Sequence, residues 1–350
     1  MTTRYQYNHL LDLLTRLFVE REVSQEVARV TAEVLVEGDL LGHHTHGVKL
    51  ANGYLLDLEA NHAKGDHGIL ELTQRGPVSS LVDAHYLLGP YVVQQALAKC
   101  SQAAQEFGIG VSSIKRSHHI ACLAAYLPKI VEQGLVPIIM SSDPAVASVA
   151  PYGGTESVYT PNPIAVGIPG RTHPMLIDVS MSVITNGSVA KARQEGKSLL
   201  HHVLLTPEGT LSNNPEDAFT TPPATILPLG EMAFGHKGFA LALMVEALTS
   251  ALSGFGRKDS PTGWGASVMT MVIDPAQFGG IEAFLDETDY LAEQCLSSSP
   301  VNENAPVRLP GQAGLRKKVQ YLEEGLPLPD DVVAALRQAV GRSALDNLVL

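Results

Sequence analysis

The sequence predicts an α/β fold of the α+β kind, with a helical N-terminal subdomain, a sheet core flanked by helices and a helical C-terminal segment. Two patterns and one absence carry that reading. Apolar residues recur at helical spacing near the N-terminus, while short apolar runs bounded by Gly, Pro and Asn alternate with helical stretches through the middle. No GxGxxG or GxxxxGK[ST] turn occurs, so any dinucleotide is held on a scaffold other than the doubly wound one.

Taken in order, Leu10, Leu14 and Leu17 form one helical stripe, and after a break near Ser24 the residues Val27, Val30 and Val34 form a second that ends at Gly38. A His- and Gly-rich span, 39–54, leads through polar sequence to Gly76 and a strand around 78–82. A helix is predicted over 90–107, because Gly108 can take the left-handed conformation that closes helices, and a strand over 109–114. A second helix, about 120–133, stops at Gly134. Buried strands follow at 135–140, 164–168 and 175–179, then a helix over 239–252, a strand over 268–273 and helices near 281–295 and 331–340. The proline-rich stretches 221–228 and 297–310 read as loops. The expected segments are 1–75, helical with a His-rich loop; 76–120, connecting; 121–300, the main α/β unit; and 301–350, helical and returning to the first.

The 350 residues carry 24 Lys and Arg against 36 Asp and Glu, a net charge of −12, which argues against a nucleic-acid partner. Cys100, Cys122 and Cys295 are odd in number and form no CxxC pair, so neither a disulfide framework nor a cysteine zinc site is expected, and a reducing, cytoplasmic compartment is. Even the longest apolar run is broken by Glu246, short of the roughly 18 residues a membrane span needs. The N-terminus reads as part of the fold.

Three clusters could carry chemistry. His43, His44 and His46 lie within four residues, before Gly47, and imidazoles so placed serve as proton-transfer groups, as metal ligands, or as solvated residues at a helix end. Lys115, Arg116, His118 and His119 fall where a strand is expected to end and a helix to begin, a place suited to anions. Gly235-His236-Lys237-Gly238 is expected to open an apolar helix, with Lys237 adding charge at its N-terminus. Asp178 sits in an apolar strand, where a buried carboxylate calls for a partner such as His; a place at the strand end facing water is the other reading.

Read together, Thr45-His46-Gly47, Ser117-His118-His119, Thr160-Pro161-Asn162-Pro163, Asp178 to Ser182, Gly235 to Gly238 and Arg308-Leu309-Pro310-Gly311 resemble the malate/L-lactate dehydrogenase family of the second, non-Rossmann type. That family also holds ureidoglycolate dehydrogenase, diketogulonate reductase, sulfolactate dehydrogenase and the piperideine/pyrroline-2-carboxylate reductases. The resemblance implies a homodimer, a nicotinamide-binding unit on a mostly antiparallel sheet, and NAD or NADP as cofactor. Its chemistry would be hydride transfer at the α-carbon of a small 2-oxo or 2-hydroxy acid or a cyclic imino acid. It implies His46, His119 and Asp178 as catalytic, and Thr45, Lys49, Leu50, Tyr54 and His118 as substrate-binding. Ser141, Asn162, Asp178, Ser182, His236, Lys237, Pro310 and Gly311 fall to the cofactor, and no metal is implied.

The chain departs from the pattern. Thr45 stands for Ser, Thr160-Pro161 for Gly-Thr, Ile120-Ala121 for Phe-Gly, and Leu50 for an arginine suited to capturing a carboxylate. Lys49 is the nearest cation that could replace that arginine. The competing readings are a metal-dependent hydrolase or lyase using the His43, His44 and His46 cluster with His118 and His119, and an inactive ligand-binding paralogue.

Overall fold

The computed structural model describes residues 4–340, so 1–3 and 341–350 of the expected end segments lie outside the described residues. Strand β1 (Arg4–Tyr5) leads into α1 (Tyr7–Val19) and α2 (Gln25–Leu40). Leu10, Leu14, Leu17 and Phe18 of α1 are buried with Val27, Ala28 and Leu35 of α2, each leucine contributing about 2 kcal/mol by leaving water. The helix runs past Gly38, and the His-rich span after it is a tight loop that leads to α3 (Ala51–Glu59), a helix where the sequence pattern shows only the end of that span and polar sequence.

Next come β2 (Glu71–Gln74), β3 (Ser79–Asp83), α4 (Gly89–Phe107), closed by Gly108 at φ 86°, and β4 (Ile109–His118). Strand β4 continues through Lys115 and Arg116 instead of ending before them, and no helix starts there. The expected helix over 120–133 is also absent as one element. Residues 120–122 are irregular, Leu123–Tyr126 makes a single 3₁₀ turn, and only the short α5 (Pro128–Val131) is α-helical. The cause is local: Ala121 is left-handed at φ +59° with its N–H donating to His119 Nδ1 (3.3 Å), Ala124 N–H donates to Asp178 (2.9 Å), and Pro128 has no N–H to give.

The chain continues through β5 (Val136–Ser142), β6 (Ile164–Ile168), β7 (Met175–Val179) and α6 (Asn186–Gln194). Three short strands, β8 (Leu204–Leu205), β9 (Leu211–Ser212) and β10 (Thr225–Ile226), form a small separate sheet. Helix α7 (Glu231–Glu246) begins well before the expected 239, so Gly235 to Gly238 lie in its second turn and do not open it. The glycines there serve packing: a Cβ on Gly238 would sit 2.4 Å from the Leu229 carbonyl oxygen. Then follow β11 (Gly265–Ile273), α8 (Ile281–Leu296), α9 (Gln312–Glu324), β12 (Leu326–Pro327) and α10 (Asp330–Val340).

The main sheet has the order β2-β3-β4-β11-β5-β6-β7, and every neighbouring pair is antiparallel except β3 with β4. It is mixed α/β with flanking helices and mostly antiparallel, the fold class the sequence predicts. The C-terminal segment folds back on the N-terminal helices through β12 pairing with β1, Lys318 with Glu37 (2.6 Å) and Lys49 with Asp331 (2.8 Å). Among the described residues no helix is long and apolar enough to cross a membrane.

Candidate active site

Asp39, the penultimate residue of α2, is fully buried and organises the loop that follows. One carboxylate oxygen meets His44 Nδ1 at 2.6 Å and the other accepts the Val48 N–H at 2.6 Å. Burial pushes its carboxyl upward in pKa, while these two hydrogen bonds pull it down. Gly47 passes so close to it that a Cβ there would lie 2.2 Å from Asp39 Oδ2. The loop so tied presents His46 to a cleft of about 560 Å³, with Thr45 Oγ1 2.9 Å from His46 Nδ1.

The facing wall is the irregular segment after β4. His119 stacks on Trp264 at 4.1 Å between ring centroids, and its ring lies 6.2 Å from that of His46. Its Nδ1 is 2.8 Å from the buried Tyr54 hydroxyl and accepts the Ala121 N–H. A backbone N–H can only donate, so Nδ1 is an acceptor and the neutral ring carries its proton on Nε2. Burial lowers the pKa of both histidines, most strongly that of His119; the nearby Asp178 charge opposes the shift at His46. Ala121 reaches its place at φ +59°, a left-handed angle that costs a non-glycine residue roughly 1 kcal/mol, at the position where the resembling family has glycine.

Asp178 comes from β7, where it accepts the Ala124 N–H and lies 3.9 Å from Cys122 Sγ. Burial raises its carboxyl, and the charges of His43 and His46 lower it. The expected histidine partner is thus present as an electrostatic neighbour. Asp178 and His43 also line a second, larger cleft of about 1010 Å³, walled by Arg308, Pro310, Gly311 and Lys317 at the start of α9. The two clefts meet at this pair.

His46, His119, Asp178, Thr45, Leu50 and Ser141 therefore gather at the smaller cleft, and Pro310 and Gly311 at the larger. The remaining assignments fall elsewhere. Tyr54 is buried beneath His119 and holds it, without reaching the cleft. His118 is fully buried and paired with Asp57 at 3.0 Å, because the last residue of β4 faces the helical layer. Lys49 points away to Asp331. Asn162 is buried at φ +48° with its amide donating to the Ala242 carbonyl and Glu246, so it braces the loop beside the cleft. Ser182 is buried and donates to the Ile184 carbonyl, leaving Ser180 as the serine of the 178–182 motif that lines the cleft. His236 and Lys237 are exposed on α7 and line neither cleft; Lys237 lies over the Phe234 ring at 5.3 Å.

Sequence reasoning missed Trp264, Val146, Asp143 and the first turn of α6, where Gly187 packs beside the His46 ring. The sequence gives one signal for Trp264: it is the chain's single tryptophan, set between glycines just before a strand. The histidine cluster does not converge as a metal site would. His44 is tied to Asp39, His118 to Asp57 and His119 to Tyr54, and the one group of potential ligands drawn together among the described residues is Glu71, Asp83 and His85. Arg116 and Lys115 already neutralise Asp83 there.

Two buried histidines, the second fixed in one tautomer, and a neighbouring carboxylate thus line a cleft on a sheet fold without a Rossmann turn, and the chain's relatives make it an oxidoreductase of small acids. Residues 5–337 match the malate/L-lactate dehydrogenase family, and the chain belongs to it. It is 28% identical over 99% of its length to a malate dehydrogenase of Pyrococcus horikoshii, covering 97% of that protein. It is 31% identical over 89% of its length to a (2R)-3-sulfolactate dehydrogenase (NADP(+)) of Chromohalobacter salexigens, covering 90% of it. Its fold matches the crystal structure of a delta1-piperideine-2-carboxylate reductase from Pseudomonas syringae with a TM-score of 0.84 at 27% identity, covering 97% of this chain and all of that one. The family overturns the hydrolase reading.

Proposed function

We propose that this protein is a nicotinamide-dependent dehydrogenase or reductase, moving a hydride between NAD or NADP and the α-carbon of a small 2-oxo or 2-hydroxy acid or cyclic imine. The observation that carries this is the meeting of two unlike clefts at Asp178 and His43. The larger one suits a dinucleotide: the first turn of α9, whose N–H groups have no partners within the helix, sits with Arg308 and Lys317 where a diphosphate would bind. The bound nicotinamide supplies or accepts the hydride.

The chain's own residues handle the proton. His46 exchanges it with the substrate oxygen or nitrogen, since His119 carries its proton on Nε2 and a neutral imidazole N–H is a hydrogen-bond donor and not a base. His119 therefore holds and polarises the substrate atom while His46 titrates. Tyr54 and Trp264 keep the His119 ring in place from two sides. Thr45 orients His46, and Asp178 stabilises the protonated ring.

Trp264 makes the cofactor reading testable without a substrate. As the single tryptophan, lining the cleft, its fluorescence is expected to be quenched saturably by NADH or NADPH, with energy transfer to the reduced ring. If neither changes its emission and neither supports turnover of any 2-oxo acid or imine, the proposal fails.

A homodimer is part of the same proposal. Met232, Phe234, Leu241, Leu243 and Met244 leave α7 apolar and exposed along its length, the kind of surface that a partner covers. The protein is expected to sediment at twice 37.3 kDa and Leu241→Glu to shift it toward the monomer. A monomeric wild type at micromolar concentration would remove this part.

A further inference from the structure

The smaller cleft has an unusual charge balance. Its acidic residues are Asp143 and Asp178, and none of the described residues lining it is Lys or Arg. The cations close by are already engaged. Lys49, next to Leu50, is bonded to Asp331 on the outer face. Arg257 stands behind the 143–146 wall, but its guanidinium binds Glu246 at 2.7 Å and the carbonyls of Asp143 and Val146. Arg116 is held by Asp83 in a two-point pair.

The rest of the cleft divides in two. Leu50, Ile120, Leu123, Val146 and Trp264 give it apolar walls. Polar contacts come from the Ser141 hydroxyl, the histidine rings and residues 185–188 at the start of α6, none of which carries a fixed positive charge. These donors, with the one proton that His46 carries in reduction, can serve one carboxylate beside the reacting carbon. A second anion in the same 560 Å³ would face either a carboxylate or an apolar wall, and both arrangements are unfavourable.

Given the hydride-transfer reading above, we propose that the substrate is a monocarboxylic 2-oxo acid, or the corresponding cyclic imine, with an uncharged hydrocarbon remainder, and that the cleft rejects a second carboxylate or sulfonate. The hydrocarbon lies against Leu50, Val146 and Trp264, and the sp² centre lies between His46 and His119. Reduction adds a hydride from the reduced nicotinamide to that carbon and a proton to its oxygen or nitrogen, so the oxo acid becomes a hydroxy acid, or the imine an amine, as the nicotinamide is oxidised.

The test compares 4-methyl-2-oxopentanoate and Δ1-piperideine-2-carboxylate with oxaloacetate and sulfopyruvate, using the full-length protein and both reduced nicotinamides. Binding of each compound is followed separately by Trp264 fluorescence. The better monocarboxylate is expected to exceed either dianion by about 100-fold in kcat/KM, the scale on which an unpaired charge is excluded from such a site. In Leu50→Arg, a cation enters the apolar wall and the ratio is expected to fall by about 10-fold or more. Efficient wild-type use of oxaloacetate or sulfopyruvate, an unchanged ratio in a folded Leu50→Arg protein, or failure of every monocarboxylate to perturb Trp264 would each overturn the proposal. Selective binding of the monocarboxylates without turnover by either nicotinamide would sustain this substrate class while refuting the hydride-transfer reading.

Discussion

Replacing His46 with alanine is expected to lower the rate of reduction by about 10²-fold or more, the scale of losing a positioned general acid, while leaving nicotinamide binding near that of the wild type. The two effects separate because His46 lines the smaller cleft, whereas the α9 start and its cations line the larger one. The pH profile sharpens the test. Burial lowers the pKa of His46 below the ordinary histidine value, so its ring is mostly neutral at pH 7. Reduction draws on the protonated ring, so its rate rises as pH falls toward that lowered value and declines as pH rises. Oxidation draws on the neutral ring and runs the opposite way, level above the ordinary histidine range. Both slopes are expected to vanish in His46→Ala. A variant that keeps wild-type turnover and pH profile on the best substrate, with the loss appearing in His119→Ala instead, would reverse the two histidines' roles.

Much of this site was readable because its chemistry is local in the chain. Thr45, His46 and Gly47 are adjacent in sequence, and the tight approach of Gly47 to Asp39 means that a small residue is required there whatever surrounds the loop. The buried strands at 164–168 and 175–179 were legible because short apolar runs bounded by turn residues have few other uses. What escaped was set by tertiary contact. Tyr54 and His118 belong to motifs beside the site, yet one faces His119 and the other Asp57, and nothing in their spacing tells which side of a helix or strand faces a cleft. The 120–133 stretch has helical composition, but Ala121 takes a left-handed φ and Asp178 captures the Ala124 N–H that a helix would direct back to residue 120. Helix α7 was placed too late because its first turns are apolar on their exposed side, which removes the periodicity from which a start is read.

Asp39→Ala is expected to destabilise the protein by roughly 3 kcal/mol and to lower kcat even where the protein remains folded. Asp39 is fully buried, so its removal leaves the Val48 N–H without an acceptor in an enclosed place and frees His44, whose side chain is one-third exposed, to turn toward water. The loss sits at the low end of the range for a broken buried pair because His44 can recover its hydration. The same carboxylate fixes the loop between α2 and α3 at two points, one on each side of His46, so the proton-transfer ring loses its position when both ties go. Asp39→Asn separates the structural from the electrostatic contribution. Its amide oxygen can accept the Val48 N–H, and its NH₂ can donate to His44 Nδ1 when that ring carries its proton on Nε2. The asparagine variant is therefore expected to recover most of the stability and a good part of kcat. Urea unfolding midpoints and steady-state kinetics on the three proteins decide the matter. An alanine variant that unfolds at the wild-type midpoint would show that the loop is held by something other than Asp39, and an asparagine variant as impaired as alanine would show that the charge, and not the two-point geometry, is what positions His46.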